Sequence, residues 1–192
     1  MSDRRGKIII LVSPSGGGKS TMAKKLLDDF DRIKFSVSAT TRLPRQGEVN
    51  GREYYFMTRE AFLERVKNKQ FLEWEEFYNG TMYGTLKAHV ESELEKGYFI
   101  MLDVDVLGAL NVKQMYGDNA LTIFIKPPSM IVLEQRLRNR GTESEKSLKT
   151  RLDRAQKEIA YAEKFDRIVV NDKIETAYSE IKEAVINFIS NQ

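Results

Sequence analysis

The sequence predicts an α/β fold, a doubly wound parallel sheet that carries two inserts, one antiparallel and β-rich, the other helical. Short apolar runs rich in Ile, Val and Leu recur along the chain, amphipathic helical patterns separate them, and two stretches break the alternation. The 192 residues, 41% of them hydrophobic, suit one domain with inserted subdomains. Lys7 to Val12 reads as a buried central strand, because every position is apolar after Lys7. A loop follows, Ser13-Pro14-Ser15-Gly16-Gly17-Gly18, and then a helix with Met22, Ala23, Leu26, Leu27 and Phe30 on one face. Further strands are expected at Tyr98 to Leu102, Leu121 to Ile125 and Arg167 to Val170. The clearest later helix sets Ile174, Ala177, Tyr178, Ile181, Val185, Phe188 and Ile189 on one face.

The first insert contains aromatic strand-like pieces, Glu53 to Met57 and Phe71 to Tyr78, punctuated by Gly47, Gly51 and Gly80. The second opens at Pro127-Pro128 and reads as two helices joined near Arg140-Gly141, the latter with an apolar seam of Leu148, Leu152, Ala155, Ile159 and Ala162. The expected division is a core of residues 1–35, 97–126 and 164–192, with inserts at 36–96 and 127–163.

Composition narrows the function. There is no cysteine, hence no disulfide, thiolate metal site or cysteine nucleophile, and a reducing cytoplasm is the expected location. No apolar run approaches the roughly 20 residues that span a bilayer, so no membrane partner is expected. The net charge is +3, and its surplus is confined to residues 1–33 (7 Lys/Arg, 4 Asp/Glu) and 127–157 (8 against 4). Two basic blocks suit a small polyanion shared between them. A nucleic-acid ligand would call for a continuous basic stripe, and none is expected.

Ser13 to Ser20, SPSGGGKS, joins the first strand to the first helix, which is the setting a phosphate-binding loop requires. Glycines let main-chain N–H groups converge on phosphate oxygens, and the helix N-terminus adds partial positive charge. Lys19 would reach the β- and γ-phosphates and the Ser20 hydroxyl would ligate Mg²⁺. Ser13 occupies the place of the motif's first glycine. The alternative, a glycine-rich turn that happens to precede Lys-Ser, explains less of the context.

What receives the phosphate is addressed by the stretch Ser36 to Gly51, which contains Arg42 and Arg45, and by Tyr54-Tyr55-Phe56. Two arginines three apart in a Pro/Gly loop can clamp one phosphate, and Tyr54 adds a phenolic donor. Here, and at Leu72-Glu73-Trp74, Tyr83-Gly84-Thr85, Leu102-Asp103-Val104-Asp105, Arg140-Gly141-Thr142-Glu143 and Val169-Val170-Asn171-Asp172, the chain resembles guanylate kinases along nearly its whole length. The resemblance implies an ATP:GMP phosphotransferase, with 36–96 as its GMP-binding part and 127–163 as its lid. It implies that Arg42, Arg45, Tyr54 and Tyr83 hold the GMP phosphate and that Ser38, Glu73, Thr85 and Asp105 read guanine. Asp103 would orient Mg²⁺ through water or Arg42. Ser15, Gly16, Gly17, Gly18, Lys19, Ser20 and Thr21 would bind ATP, Asn171 would touch the adenine edge, and Arg136, Arg140 and Arg151 would close over the phosphates. Met82 stands where many relatives carry a second Tyr beside Tyr83.

The chemistry is consistent on its own terms. Guanine offers N1–H and N2–H donors that Glu73 can accept, and adenine presents an N1 lone pair there instead. The acceptor phosphate, with a second pKa near 6, is already an ionised nucleophile, so the single histidine, His89, is not needed as a base. Both inserts are expected to hinge toward the core when the two nucleotides bind. Two competing readings are a guanylate-kinase-like module that binds phosphopeptides without catalysis, and a P-loop kinase for another small acceptor.

Overall fold

The computed structural model describes residues 5–77, 80–139 and 144–190. β1 (Ile8–Val12) lies at the centre of a five-stranded sheet with β2 (Ile33–Phe35) and β7 (Phe99–Leu102) on one side and β8 (Ala120–Lys126) and β9 (Arg167–Val170) on the other. The order is β2-β7-β1-β8-β9 and every pairing is parallel. Along β1 the side chains alternate between two apolar layers. Ile8, Ile10 and Val12 pack with Leu102, Val106, Val112 and Phe124. Ile9 and Leu11 pack with Met22, Leu26, Ile123, Ile181 and Val185. Helices α1 (Lys19–Asp29) and α7 (Ile174–Ser190) cover this second face, and α4 (Val106–Tyr116) covers the first. The chain leaves β1 toward β2 on one side and crosses from β7 to β8 on the other, so the switch point falls at the carboxyl end of β1, where a doubly wound sheet binds its ligands.

The first insert differs from the antiparallel sheet expected. Its strands β4 (Tyr55–Phe56), β3 (Ala39–Thr40), β6 (Met82–Leu86) and β5 (Phe71–Glu76) form a mixed sheet in that order, with β3 and β4 parallel. The long connection 41–54 brings the chain back to the end from which β3 set out, which permits a parallel partner. α2 (Arg59–Lys67) covers this sheet: Phe62 stacks on Phe71 at 4.4 Å between ring centroids, against buried Ala39 and Met82. Met82 is fully buried, so the position that departs from the resembled pattern is filled by core packing. α3 (Lys87–Glu95) then returns to the main sheet, with Val90 and Leu94 in its first layer.

The second insert is the helix pair α5 (Met130–Asn139) and α6 (Glu145–Ile159), with Leu133 and Leu137 packed on Leu148 and Ala155. The turn predicted near Arg140-Gly141 lies outside the described residues. The expected α6 seam divides. Leu148, Leu152 and Ala155 serve the helix pair, whereas Ile159 and Ala162, the latter beyond the end of α6, pack into the main core beside Phe165. α6 is therefore rooted in the core at its carboxyl end. Among the described residues no helix is long and apolar enough to cross a membrane.

Candidate active site

The loop after β1 owes its shape to glycine. Gly16 and Gly18 adopt φ of +89° and +103°, the left-handed region that side chains with a Cβ disfavour. A Cβ on Gly18 would stand 2.3 Å from the Asn171 amide nitrogen, and one on Gly17 2.3 Å from Ser13 Oγ. Ser13 at the missing-glycine position is accommodated because its hydroxyl donates to Pro14 O at 2.8 Å. Lys19 opens α1, where unpaired N–H groups and the helix dipole favour an anion. Its ammonium pairs with Asp103 at the end of β7.

From this loop one cleft of about 1290 Å³ runs beneath α6 to the mixed sheet. Ser15, Gly16, Gly18, Lys19, Ser20, Thr21 and Asp103 line one end, and Ser38, Tyr54, Glu73, Tyr83 and Asp105 the other. At the far end the β5–β6 register sets Glu73 opposite Thr85 and Glu75 opposite Tyr83. The Thr85 hydroxyl, buried, donates to Glu73 Oε1 at 2.6 Å. Loss of hydration pushes the Glu73 carboxyl up to about 7. Asp105 adds to the rise, and the Thr85 hydrogen bond opposes it. Asp105 also caps α4, its Oδ1 accepting Gly108 N–H at 2.7 Å.

Arg42 is held by Glu48 in a two-pronged contact, Nη1–Oε2 2.8 Å and Nη2–Oε1 2.9 Å, and its guanidinium lies 5.2 Å from the Tyr54 ring centroid. Glu48 also accepts the Arg45 N–H at 2.6 Å. These contacts hold the Glu48 carboxyl down to about 2 and raise Arg42 above the ordinary guanidinium range. The Arg45 side chain stands in an exposed turn. Over the loop, Arg151 of α6 donates to Ser15 Oγ at 2.7 Å. Arg136 instead donates to Asn171 O at 2.8 Å, tying α5 to the end of β9. Asn171 is buried under the loop, its amide donating to Gly17 O at 2.8 Å, a contact that buttresses the loop. Arg140 lies outside the described residues.

Three further residues reach these side chains. Glu48, within the Ser36 to Gly51 stretch, carries no sequence signal of its own. Glu75 and Arg154 lie 3.6 Å apart across the cleft. Strand period two from Glu73 and helix spacing three from Arg151 place them on the faces already assigned. His89 Nδ1 lies 3.4 Å from the Tyr55 hydroxyl and packs edge-on against that ring, away from the loop lysine's cluster.

A glycine-rich phosphate loop at the switch point, a lysine on its helix and a helical insert arching over it define a P-loop nucleotide-binding protein. The comparisons make this specific. The guanylate kinase family model matches residues 5–187. A guanylate kinase of Porphyromonas gingivalis is 48% identical over 185 residues, covering 96% of this chain and 98% of that one. One from Salinibacter ruber is 44% identical with both chains fully covered. The crystal structure of guanylate kinase from Anaplasma phagocytophilum superposes with a TM-score of 0.72 at 35% identity, over 95% of this chain and 86% of that one. The chain belongs to the guanylate kinase family.

Proposed function

We propose that this protein transfers the γ-phosphoryl group of ATP to GMP, giving ADP and GDP, in the cleft between the phosphate loop and the mixed sheet. The observation that carries the reading is that one continuous cleft joins a loop built for a polyphosphate to a carboxylate–hydroxyl pair, Glu73 and Thr85, complementary to guanine's donor edge. The loop amides and Lys19 hold the donor phosphates. Arg42, Arg45, Tyr54 and Tyr83 hold the acceptor phosphate, and Ser38 and Asp105 complete the base site. Arg151 and the other lid arginines, Arg136 and Arg140, neutralise charge over the transferring group.

The acceptor is already an anion at neutral pH, so alignment and charge neutralisation supply the catalysis and no side chain need take a proton. Ser20 and Asp103 offer a hydroxyl and a carboxylate, the hard oxygen donors Mg²⁺ accepts, Asp103 acting through water. Among the described residues no three His, Cys, Asp or Glu side chains cluster into a metal cage, which fits an ion held mainly by the nucleotide. When bound, Mg²⁺ would neutralise the β- and γ-oxygens. Because α6 is rooted in the core beyond Ile159, the lid moves about that end and water is excluded on closure.

Glu48 acts through Arg42. Its carboxylate takes both terminal nitrogens and so sets the plane of the guanidinium that faces the acceptor phosphate. Glu48→Gln should raise KM for GMP about tenfold with kcat little changed, since a neutral amide orients the guanidinium less firmly. Steady-state kinetics with GMP varied check this, and an unchanged KM would remove Glu48 from the site. The reading as a whole is tested by ADP release across GMP, dGMP, AMP, UMP and CMP. At alkaline pH turnover with GMP and dGMP is expected to exceed that with AMP, UMP and CMP by about 10⁴-fold. Absence of turnover with every acceptor would favour the phosphopeptide-binding module.

A further inference from the structure

We propose that Glu73 is a protonation-gated selector of the acceptor base, so that acidification turns the cleft from GMP toward AMP. The inference rests on the reading of Glu73 as the guanine reader. As a carboxylate Glu73 only accepts hydrogen bonds, which matches guanine N1–H and N2–H. As a carboxylic acid it has one donor and one acceptor, which matches adenine's N1 lone pair and N6–H.

The surroundings favour its taking up a proton. From β6 it receives the Thr85 hydroxyl at 2.6 Å and the Thr85 main-chain N–H, both neutral donors. Asp105 at the start of α4 and Glu75 two residues along β5 are both negative and both disfavour its charge. From α6, Arg154 is engaged by Glu158 at 2.7 Å and lies 3.6 Å from Glu75. Lys69 lines the hollow of about 500 Å³ behind β5, which Glu73 also borders. Among the described residues no cation stands within ion-pair distance of Glu73. A desolvated carboxyl without a cation titrates near neutrality, and here it is pushed up to about 7. With AMP bound, an oxygen of its phosphate forms the new bond to the γ-phosphorus of ATP as the β–γ bridge breaks, giving two ADP.

The test is kcat/KM for GMP, AMP and IMP from about pH 8 to about pH 6, read as radiolabelled diphosphate product. The acceptor phosphate titrates alike in all three, so ratios isolate the base. The GMP:AMP ratio is expected to fall about tenfold per pH unit, about 100-fold across the window, while GMP:IMP, with N1–H common to both, stays flat. Glu73→Gln, a permanent neutral analogue, should shift the ratio toward AMP and abolish its pH dependence. A flat wild-type GMP:AMP ratio alongside a shifted Glu73→Gln ratio overturns the gating and leaves the base reading standing. A Glu73→Gln ratio equal to wild type throughout overturns the base reading itself. A slope that persists in Glu73→Gln overturns the assignment to Glu73. Should that variant not fold, the wild-type slope decides alone.

Discussion

Lys19→Met is expected to lower kcat by about 10³-fold while leaving GMP binding within about twofold of wild type. Lys19 opens α1 and directs its ammonium across to Asp103 at the mouth of the loop, so it sits where a donor's terminal phosphates would lie. Methionine keeps the length of the stem and favours helix, so α1 and the packing of Met22 and Leu26 are retained. What is lost is a positive charge whose value rises as negative charge gathers on the transferring group. The loss therefore falls on turnover rather than on the acceptor's affinity. The proposed acceptor site lies on the other sheet, whereas Lys19 pairs with Asp103 at the end of β7. Calorimetric titration with GMP beside steady-state kcat separates the two effects. A GMP affinity that fell in parallel with kcat would show that Lys19 serves the acceptor.

Glu73→Ala should collapse base discrimination. A site that spends a desolvated polar group on one ligand's hydrogen bonds rejects ligands lacking them by about 10⁴-fold. At a pH above 7 the wild-type preference for GMP over AMP is expected to be of that order, and the variant's to lie within about tenfold. The loss should come chiefly from GMP. The buried Thr85 hydroxyl loses its carboxylate acceptor, while the main-chain pairing of β5 with β6 remains. The fold should survive, because the neighbouring core contacts, Phe71 on Phe62 and Leu72 in the main layer, are made by other side chains. The measurement is kcat/KM for both nucleotides at one alkaline pH. An unaltered ratio would place the reader of the base elsewhere.

The sequence made the five-stranded core legible where burial on both faces leaves an uninterrupted apolar run, as at Ile8 to Val12. It did not reveal β2, because Ile33-Lys34-Phe35 is a three-residue edge strand with Phe35 44% exposed, too short for any period to show. β3 and β4 are two residues each, and their parallel pairing depends on where the 41–54 connection returns, which no local pattern encodes. For the site, the phosphate loop was legible because its glycines and lysine answer to local geometry. Glu48, Glu75 and Arg154 were not, since their roles depend on which side chain faces them across a loop or a cleft. That the Asn171 amide donates to Gly17 O beneath the loop likewise depends on the fold and not on any local pattern.

In the proposed reaction two nucleotide anions meet end to end, one in the main-chain cradle before Lys19, the other on the guanidinium side of the mixed sheet. A crystal structure with GMP and a non-hydrolysable ATP analogue bound together tests it most directly. The GMP phosphate is expected on Arg42 and Arg45, its base edge on Glu73, and the analogue's terminal phosphate between Lys19 and Arg151. A bound monophosphate found away from both arginines, with their guanidinium groups turned to bulk solvent, would contradict it.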